Sequence, residues 1–248
     1  MYEEQLLRYS RQIALPELDI EGQLKIIKSK VLIIGLGALG SVVANYLCRA
    51  GVGQLLLCDY DEIDISNLHR QVLYKESDVG KYKVNQTIKE LRSINPECSL
   101  VGVNKEANNS NLEELISQND LVVDATDNFA SRYAINTICY SNKAFLVSGS
   151  ALGWSGQITV LNLGDSLSPC YECIFGVDEK EDLSCSEAGV LAPVTGIIGS
   201  IQALEILKKI LKIETYREGV LTNFDFLKGE TQTIQIKSDP RCGTCGGK

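Results

Sequence analysis

Apolar residues along this chain gather in short runs separated by polar, glycine-marked breaks. Val31-Leu32-Ile33-Ile34 is the first run, and its unbroken apolar character predicts a strand over 30–35 covered on both faces. A helix is predicted over 38–50, broken by Gly51-Val52-Gly53, followed by a second strand over 54–58 that ends at Asp59. Residues 61–80 are polar and irregular, the pattern of a functional loop with short helical turns. Alternation then resumes, with helix 81–94, strand 99–103, short helix 112–118, strand 121–123, helix 129–142 and strand 145–147. Such alternation predicts βαβ units, and hence an α/β, Rossmann-like, doubly wound and mainly parallel sheet. Beyond Gly156 the pattern changes to strands with turn residues, a long helix over 194–211 and two strands over 219–226 and 231–236. These are expected to continue the sheet with antiparallel strands. No internal repeat or low-complexity tract is present.

Composition narrows the class. The chain has 248 residues, 44% of them hydrophobic, enough for a sizeable core, and a net charge of 24 − 32 = −8. A broad nucleic-acid footprint needs a positive surface, so that partner is not expected. Two charge-free stretches, 31–48 and 188–204, are interrupted by glycines and change pattern within themselves. They read as buried strand–turn–helix chain, and no membrane span is expected. The acidic start, Met1-Tyr2-Glu3-Glu4, lacks the layout of a signal peptide, so a cytoplasmic location is expected.

The candidate chemistry begins at Gly35-Leu36-Gly37-Ala38-Leu39-Gly40, between a predicted strand and a predicted helix. Glycines there permit a tight turn and close approach of a phosphate to the backbone, where a helix N-terminus offers free N–H groups. Asp59, at the end of the second strand, can accept hydrogen bonds from ribose hydroxyls. An NAD-dependent oxidoreductase would share both features. Three further segments discriminate: Ser66-Asn67-Leu68-His69-Arg70-Gln71, Val79-Gly80-Lys81-Tyr82-Lys83-Val84 and Val122-Val123-Asp124-Ala125-Thr126-Asp127-Asn128. All fall at the carboxyl side of the predicted sheet, where this fold binds ligands. A triphosphate needs cations and a carboxylate for its Mg²⁺, and Arg70, Lys83 and Asp127 supply that set. A charge pair at ~4 Å contributes about 4 kcal/mol at an effective dielectric of ~20.

Together with Arg8-Tyr9-Ser10-Arg11-Gln12-Ile13, these motifs resemble those of the ThiF/MoeB/HesA family, relatives of ubiquitin-activating enzymes. The resemblance runs from about Arg8 to Cys245. It implies ATP-dependent adenylation of the C-terminal glycine of a ubiquitin-like sulfur carrier ending in Gly-Gly, with a sulfurtransferase as a further partner. By resemblance, Gly37 and Ala38 lie against the nucleotide, and Asp59 binds ribose. Ser66, Asn67, Arg70, Gln71, Lys83 and Asn128 complete the nucleotide site, and Asp127 serves Mg²⁺. Arg11 would reach the nucleotide of the other subunit in a homodimer. A single domain is expected, with an N-terminal arm over 1–29, a nucleotide-binding half over 30–150 and a carrier-binding half over 151–248. Two rival readings are an oxidoreductase and a non-catalytic nucleotide-binding module. Within the family, Ala151-Leu152-Gly153-Trp154-Ser155-Gly156-Gln157 resembles the thiamine branch slightly better, and Ser184-Cys185-Ser186-Glu187-Ala188-Gly189-Val190 the molybdopterin branch. The balance is drawn weakly toward thiamine.

The nine cysteines divide into three groups. Cys170-x-x-Cys173 and Cys242-x-x-Cys245 suit a closed tetrahedral Zn²⁺ site, with a redox pair as the alternative. The 69 residues from Cys173 to Cys242 exceed zinc-finger spacing, so the fold must bring the pairs together, as it does in the resembled family. Cys185 resembles the cysteine that links covalently to the carrier in some members. Cys48, Cys58, Cys98 and Cys139 read as buried small hydrophobes.

Overall fold

The computed structural model describes residues 1–176, 189–213 and 219–246. Its centre is one eight-stranded sheet in the order β3-β2-β1-β4-β5-β6-β7-β8. The strands are β1 (Lys30–Ile34), β2 (Gln54–Cys58), β3 (Ser99–Val103), β4 (Leu121–Asp124), β5 (Phe145–Leu152), β6 (Ser155–Asn162), β7 (Val220–Asp225) and β8 (Glu230–Gln235). The first five pair in parallel, and β5 to β8 pair antiparallel.

Why the early strands are continuous apolar runs is evident from the two cores. Val31 and Ile33 of β1, with Leu55 and Leu57 of β2, pack into one core beneath α3 (Asp19–Lys28), α4 (Gly40–Ala50), α5 (Lys83–Ile94) and α9 (Ala192–Leu211). Leu32, Ile34 and Leu56 point the other way, into a second core under α6 (Asn109–Ser117), α7 (Phe129–Ser141) and α8 (Tyr171–Phe175). Successive side chains alternate in direction, so a strand sandwiched between helices must be apolar at every position. Each such Leu or Ile contributes roughly 1.5–3 kcal/mol when fully buried. The arm before β1 carries α1 (Glu3–Arg8) and α2 (Ser10–Ile13).

The chain crosses from β3 at one edge to β4 beside β1, so the strand order reverses between β1 and β4. Loops leaving the carboxyl ends of those strands diverge and leave a crevice. Two departures from the expected elements matter. Strand β5 runs to Leu152, beyond the predicted 147, because the polar Ser148 is buried and bonded to Asp124 at 2.7 Å. Helix α8 lies where strands with turn residues were expected. The four lone cysteines Cys48, Cys58, Cys98 and Cys139 are all buried. Among the described residues, no helix is long and apolar enough to cross a membrane.

Candidate functional site

A cavity of about 350 Å³ opens at the carboxyl ends of β1, β2 and β4, the crevice that the strand order creates. The glycine loop forms one wall, and its three glycines have separate tasks. Gly35 has φ +90°, and an added Cβ would lie 2.7 Å from the Ala125 carbonyl oxygen. A Cβ on Gly40 would strike the carbonyl of Gly35. Both therefore close the turn between β1, α4 and the loop after β4. At Gly37 the nearest protein atom is Gln71 Nε2 at 3.8 Å, which leaves its backbone open to a ligand in the cavity. Ala38 lies beside it on the wall.

Asp59 ends β2 and is 8% exposed. Its Oδ2 accepts the Leu36 N–H at 2.6 Å and its Oδ1 the Asp61 N–H at 2.8 Å, which ties the loops after β1 and β2 together. Burial raises its pKa above the ordinary aspartate value, opposed by the nearby Lys83 ammonium and both N–H donors. Each carboxylate oxygen keeps a second acceptor site for an incoming hydroxyl. Cys58, one residue earlier on the same wall, has its thiol pushed up to about 12 by burial and remains protonated at neutral pH.

Lys83 opens α5 and is 5% exposed, and its Nζ donates to Asp61 Oδ2 at 2.6 Å. The pair is asymmetric: the lysine side chain is 6% exposed, the aspartate 46%. Asp61 was not singled out from the sequence. The Asp59-x-Asp61 spacing after a strand, which turns two carboxylates the same way in extended chain, was the available signal. Asp61 also raises the pKa of Tyr60 between them.

Residues 64–71 wind tightly against the cavity. Asp64 Oδ1 accepts the Ser66 N–H at 2.8 Å, and Arg70 Nη1 donates to the Ser66 carbonyl at 2.9 Å. Asn67, Arg70 and Gln71 line the cavity, whereas Ser66 does not. The side chain of Gln71 is nearly buried, and its Oε1 has no hydrogen-bond partner among the described residues. His69 is exposed, with Nδ1 at 2.9 Å from the Ser66 carbonyl oxygen, and is absent from the wall.

The loop after β4 is held from below. Asp124, 1% exposed, accepts Ser148 Oγ at 2.7 Å, Thr126 Oγ1 at 2.6 Å and the Thr126 N–H at 3.0 Å. Its carbonyl accepts Gln202 Nε2 of α9 at 2.8 Å. Above this anchor, Asp127 and Asn128 face the cavity, and Asn128 Oδ1 caps α7 by accepting the Ser131 N–H at 2.8 Å. Arg132, one turn into α7, is a further cation on the wall that sequence reasoning passed over. Its place in the first turn after Asn128 was the only signal. With Asp61, Glu62, Asp64, Glu106 and Asp127 around the mouth, oxygen donors of the kind Mg²⁺ prefers surround the cationic Lys83 and Arg70.

Two expected residues lie elsewhere. Arg11, on α2, is exposed and does not line this chain's cavity. Cys185 lies outside the described residues.

A second constellation stands at α8. The sulfurs of Cys170, Cys173, Cys242 and Cys245 lie within 4.8 Å of one another, with separations of 3.9 Å (170–173), 3.5 Å (170–242) and 3.3 Å (173–245). A tetrahedron with metal–sulfur bonds of ~2.3 Å has edges of about 3.8 Å, so the arrangement fits one ion. Burial pushes the Cys245 thiol up to about 11 and raises Cys170 as well. Four thiolates this close repel, and a bound dication offsets that repulsion. The Asp239 N–H donates to Cys173 Sγ at 3.4 Å, the kind of outer contact that orients a ligand sulfur.

Comparison with known proteins follows the same outline. The model of the ThiF family matches residues 9–244. Adenylyltransferase and sulfurtransferase MOCS3 of Caenorhabditis briggsae is 43% identical over 242 residues, covering 96% of this chain and 60% of that protein. Molybdopterin-synthase adenylyltransferase of Escherichia coli K12 is 40% identical over 244 residues, covering 98% of each. The chain thus spans three-fifths of the nematode relative and nearly all of the bacterial one. Among solved structures, Escherichia coli MccB with AMPCPP and MccA superposes with a TM-score of 0.84 at 25% identity, over 100% of this chain and 75% of that one.

Proposed function

The chain belongs to the ThiF family, and on that premise we propose that it adenylates the C-terminal carboxylate of a ubiquitin-like sulfur carrier of the molybdopterin-synthase type. The observation that carries this reading is the convergence of Asp59, Asn67, Arg70, Lys83 and Asp127 on one cavity beside the open backbone of Gly37. An oxidoreductase would need the glycine loop and Asp59 but has no use for two cations and Asp127 at that place.

The weak preference for a thiamine-type carrier is corrected. Relatives aligned over 96–98% of this chain are named for molybdopterin synthase or as MOCS3. Residues 151–157, which suggested thiamine, have a local explanation: they span the end of β5, the two-residue turn at Gly153 and Trp154, and the start of β6. Gly153 sits there at φ +58°, and a Cβ on Gly156 would collide with Ile198. A left-handed turn at Gly153 and the close packing of Ile198 at Gly156, not partner choice, account for those glycines.

In the proposed reaction a carrier carboxylate oxygen attacks the α-phosphorus of ATP, the bond from that phosphorus to the α,β-bridging oxygen breaks, and pyrophosphate leaves with that oxygen. No protein nucleophile is required, so the chain's task is to orient two anions and disperse their charge. Asp59 accepts the ribose hydroxyls and, through Leu36, fixes the glycine loop. Lys83 exchanges Asp61 for a phosphate oxygen, and Arg70 and Asn67 hold the remaining phosphate oxygens. Asp127, with Asp61 opposite, would hold Mg²⁺, which screens phosphate charge when bound. The four cysteines would hold Zn²⁺ as a structural ion that ties the C-terminal tail to α8. A homodimer would give Arg11, exposed on α2, a route to the neighbouring subunit's nucleotide.

Exchange of labelled pyrophosphate into ATP, stimulated by a molybdopterin-type carrier ending in Gly-Gly, is the expected result. Mass detection of the carrier adenylate identifies the product. Exchange driven only by a thiamine-type carrier would reassign the partner, and no exchange with any carrier would reject the activity.

A further inference from the structure

A continuous set of contacts joins the thiol cluster to the loop that bears Asp127. Tyr171 follows Cys170 directly, and its backbone N–H donates to Asn136 Oδ1 of α7 at 2.8 Å. Its ring is 2% exposed and packed edge-on to Tyr133 at 5.6 Å and against Phe175 at 4.4 Å. Packing fixes the ring and so sets where its hydroxyl stands. That hydroxyl accepts Arg132 Nη1 at 3.4 Å. Arg132 Nη2 in turn donates to the Thr126 carbonyl at 2.9 Å, one residue before Asp127. Arg132 also stands on the cavity wall, so whatever orients its guanidinium orients part of the site.

A guanidinium is planar, with donors in a fixed fork, so constraint at one nitrogen turns the other. Here the two ends of the fork are set by different parts of the molecule. One partner belongs to α8, whose start is placed by Cys170 and Cys173. The other belongs to the loop after β4. Asp124 anchors that loop through Thr126 N–H and Oγ1, and Arg132 clamps the same residue through its carbonyl. Thr126 is thereby gripped from the sheet on one side and from the thiol cluster on the other.

We propose that Tyr171 and Arg132 are positioning residues that couple metal binding at the four cysteines to ATP affinity at the Asp127 loop. The proposal rests on the adenylation reading above. Loss of the metal loosens α8, the tyrosine hydroxyl leaves the fork, and the guanidinium no longer holds the Thr126 carbonyl in its binding position. The coupling runs both ways: ATP in the cavity tightens the hold on the metal by the same factor.

The test measures the ATP dissociation constant by titration calorimetry with Mg²⁺ and no carrier, alongside metal content by elemental analysis. Wild type and Tyr171→Phe are each taken as purified and after chelator treatment. The substitution removes only the hydroxyl and keeps the ring. Expected is a full metal complement and unchanged melting temperature in Tyr171→Phe, with ATP bound about five- to tenfold more weakly. Chelation should weaken ATP binding in wild type by a similar factor and by clearly less in the variant. Should Tyr171→Phe fail to fold, Arg132→Lys, which keeps the charge and loses the fork, is expected to weaken ATP in the same way. ATP binding within twofold of wild type in the variant that folds would overturn the coupling. So would an equal effect of chelation on both proteins. Wild-type protein that binds no ATP would reject the adenylation reading and this inference with it.

Discussion

The cavity beside Gly37 and the thiol cluster beside α8 are both built from chain segments far apart in sequence, yet they differ in what holds them. Around the cavity, backbone N–H groups and buried carboxylates set the geometry: Asp59 between Leu36 and Asp61, and Asp124 under Thr126. The functional side chains above these anchors remain open to exchange, and Lys83 sits on an aspartate that is nearly half exposed. At the thiol cluster the side chains are themselves the structure, two buried and two half-buried, mutually close and bonded chiefly to one another. A site that must bind and release a substrate keeps its charges partly solvated, whereas a site that staples chain together closes its ligands off from water.

The comparison breaks most severely at the cysteines. Cys242→Ser removes one of four ligands from a site of the kind that contributes roughly 10–16 kcal/mol in small zinc peptides. Loss of bound metal and a fall in melting temperature of about 10 °C or more are expected. Unchanged metal content by elemental analysis would reject the assignment. Lys83→Ala should do the opposite, lowering carrier-dependent pyrophosphate exchange about a hundredfold. Its melting temperature should shift little, because the partner Asp61 can turn to water. A large loss of stability with activity retained would reverse the roles assigned to the two regions.

Asp59→Asn gives the smallest and sharpest contrast. ATP affinity should fall about tenfold. Because burial raises the folded-state pKa of Asp59, its contribution to stability is fully present below the ordinary aspartate pKa and is lost as pH rises through the raised value. The stability of wild type relative to Asp59→Asn should therefore decline as pH rises above about 4. Denaturation midpoints in which wild type gains stability relative to Asp59→Asn as pH rises would contradict the burial argument.

How much of this was legible beforehand varied with the range of the interaction. Strands β1 and β2 were readable because sandwiched strands must be apolar throughout, and the glycine loop because its turn is local. Asp59, Arg70, Lys83 and Asp127 could be grouped because the doubly wound fold sends every parallel strand's carboxyl end to one edge. Asp61 escaped notice, since its bond to Lys83 spans 22 positions and leaves no periodic trace. Arg132 looked like any helix-surface arginine until Thr126 and Tyr171 stood on either side of it.

The alternating elements, the turn glycines and the pairing of cysteines within each Cys-x-x-Cys follow from the order of residues, because all depend on neighbours a few positions away. That the two cysteine pairs meet, that Lys83 rests on Asp61, and that Ser66 and Arg11 lie off this chain's cavity wall emerges first in the folded molecule. Those facts depend on where sheet and helices deliver distant side chains, and the enclosing fold, not local spacing, sets those distances.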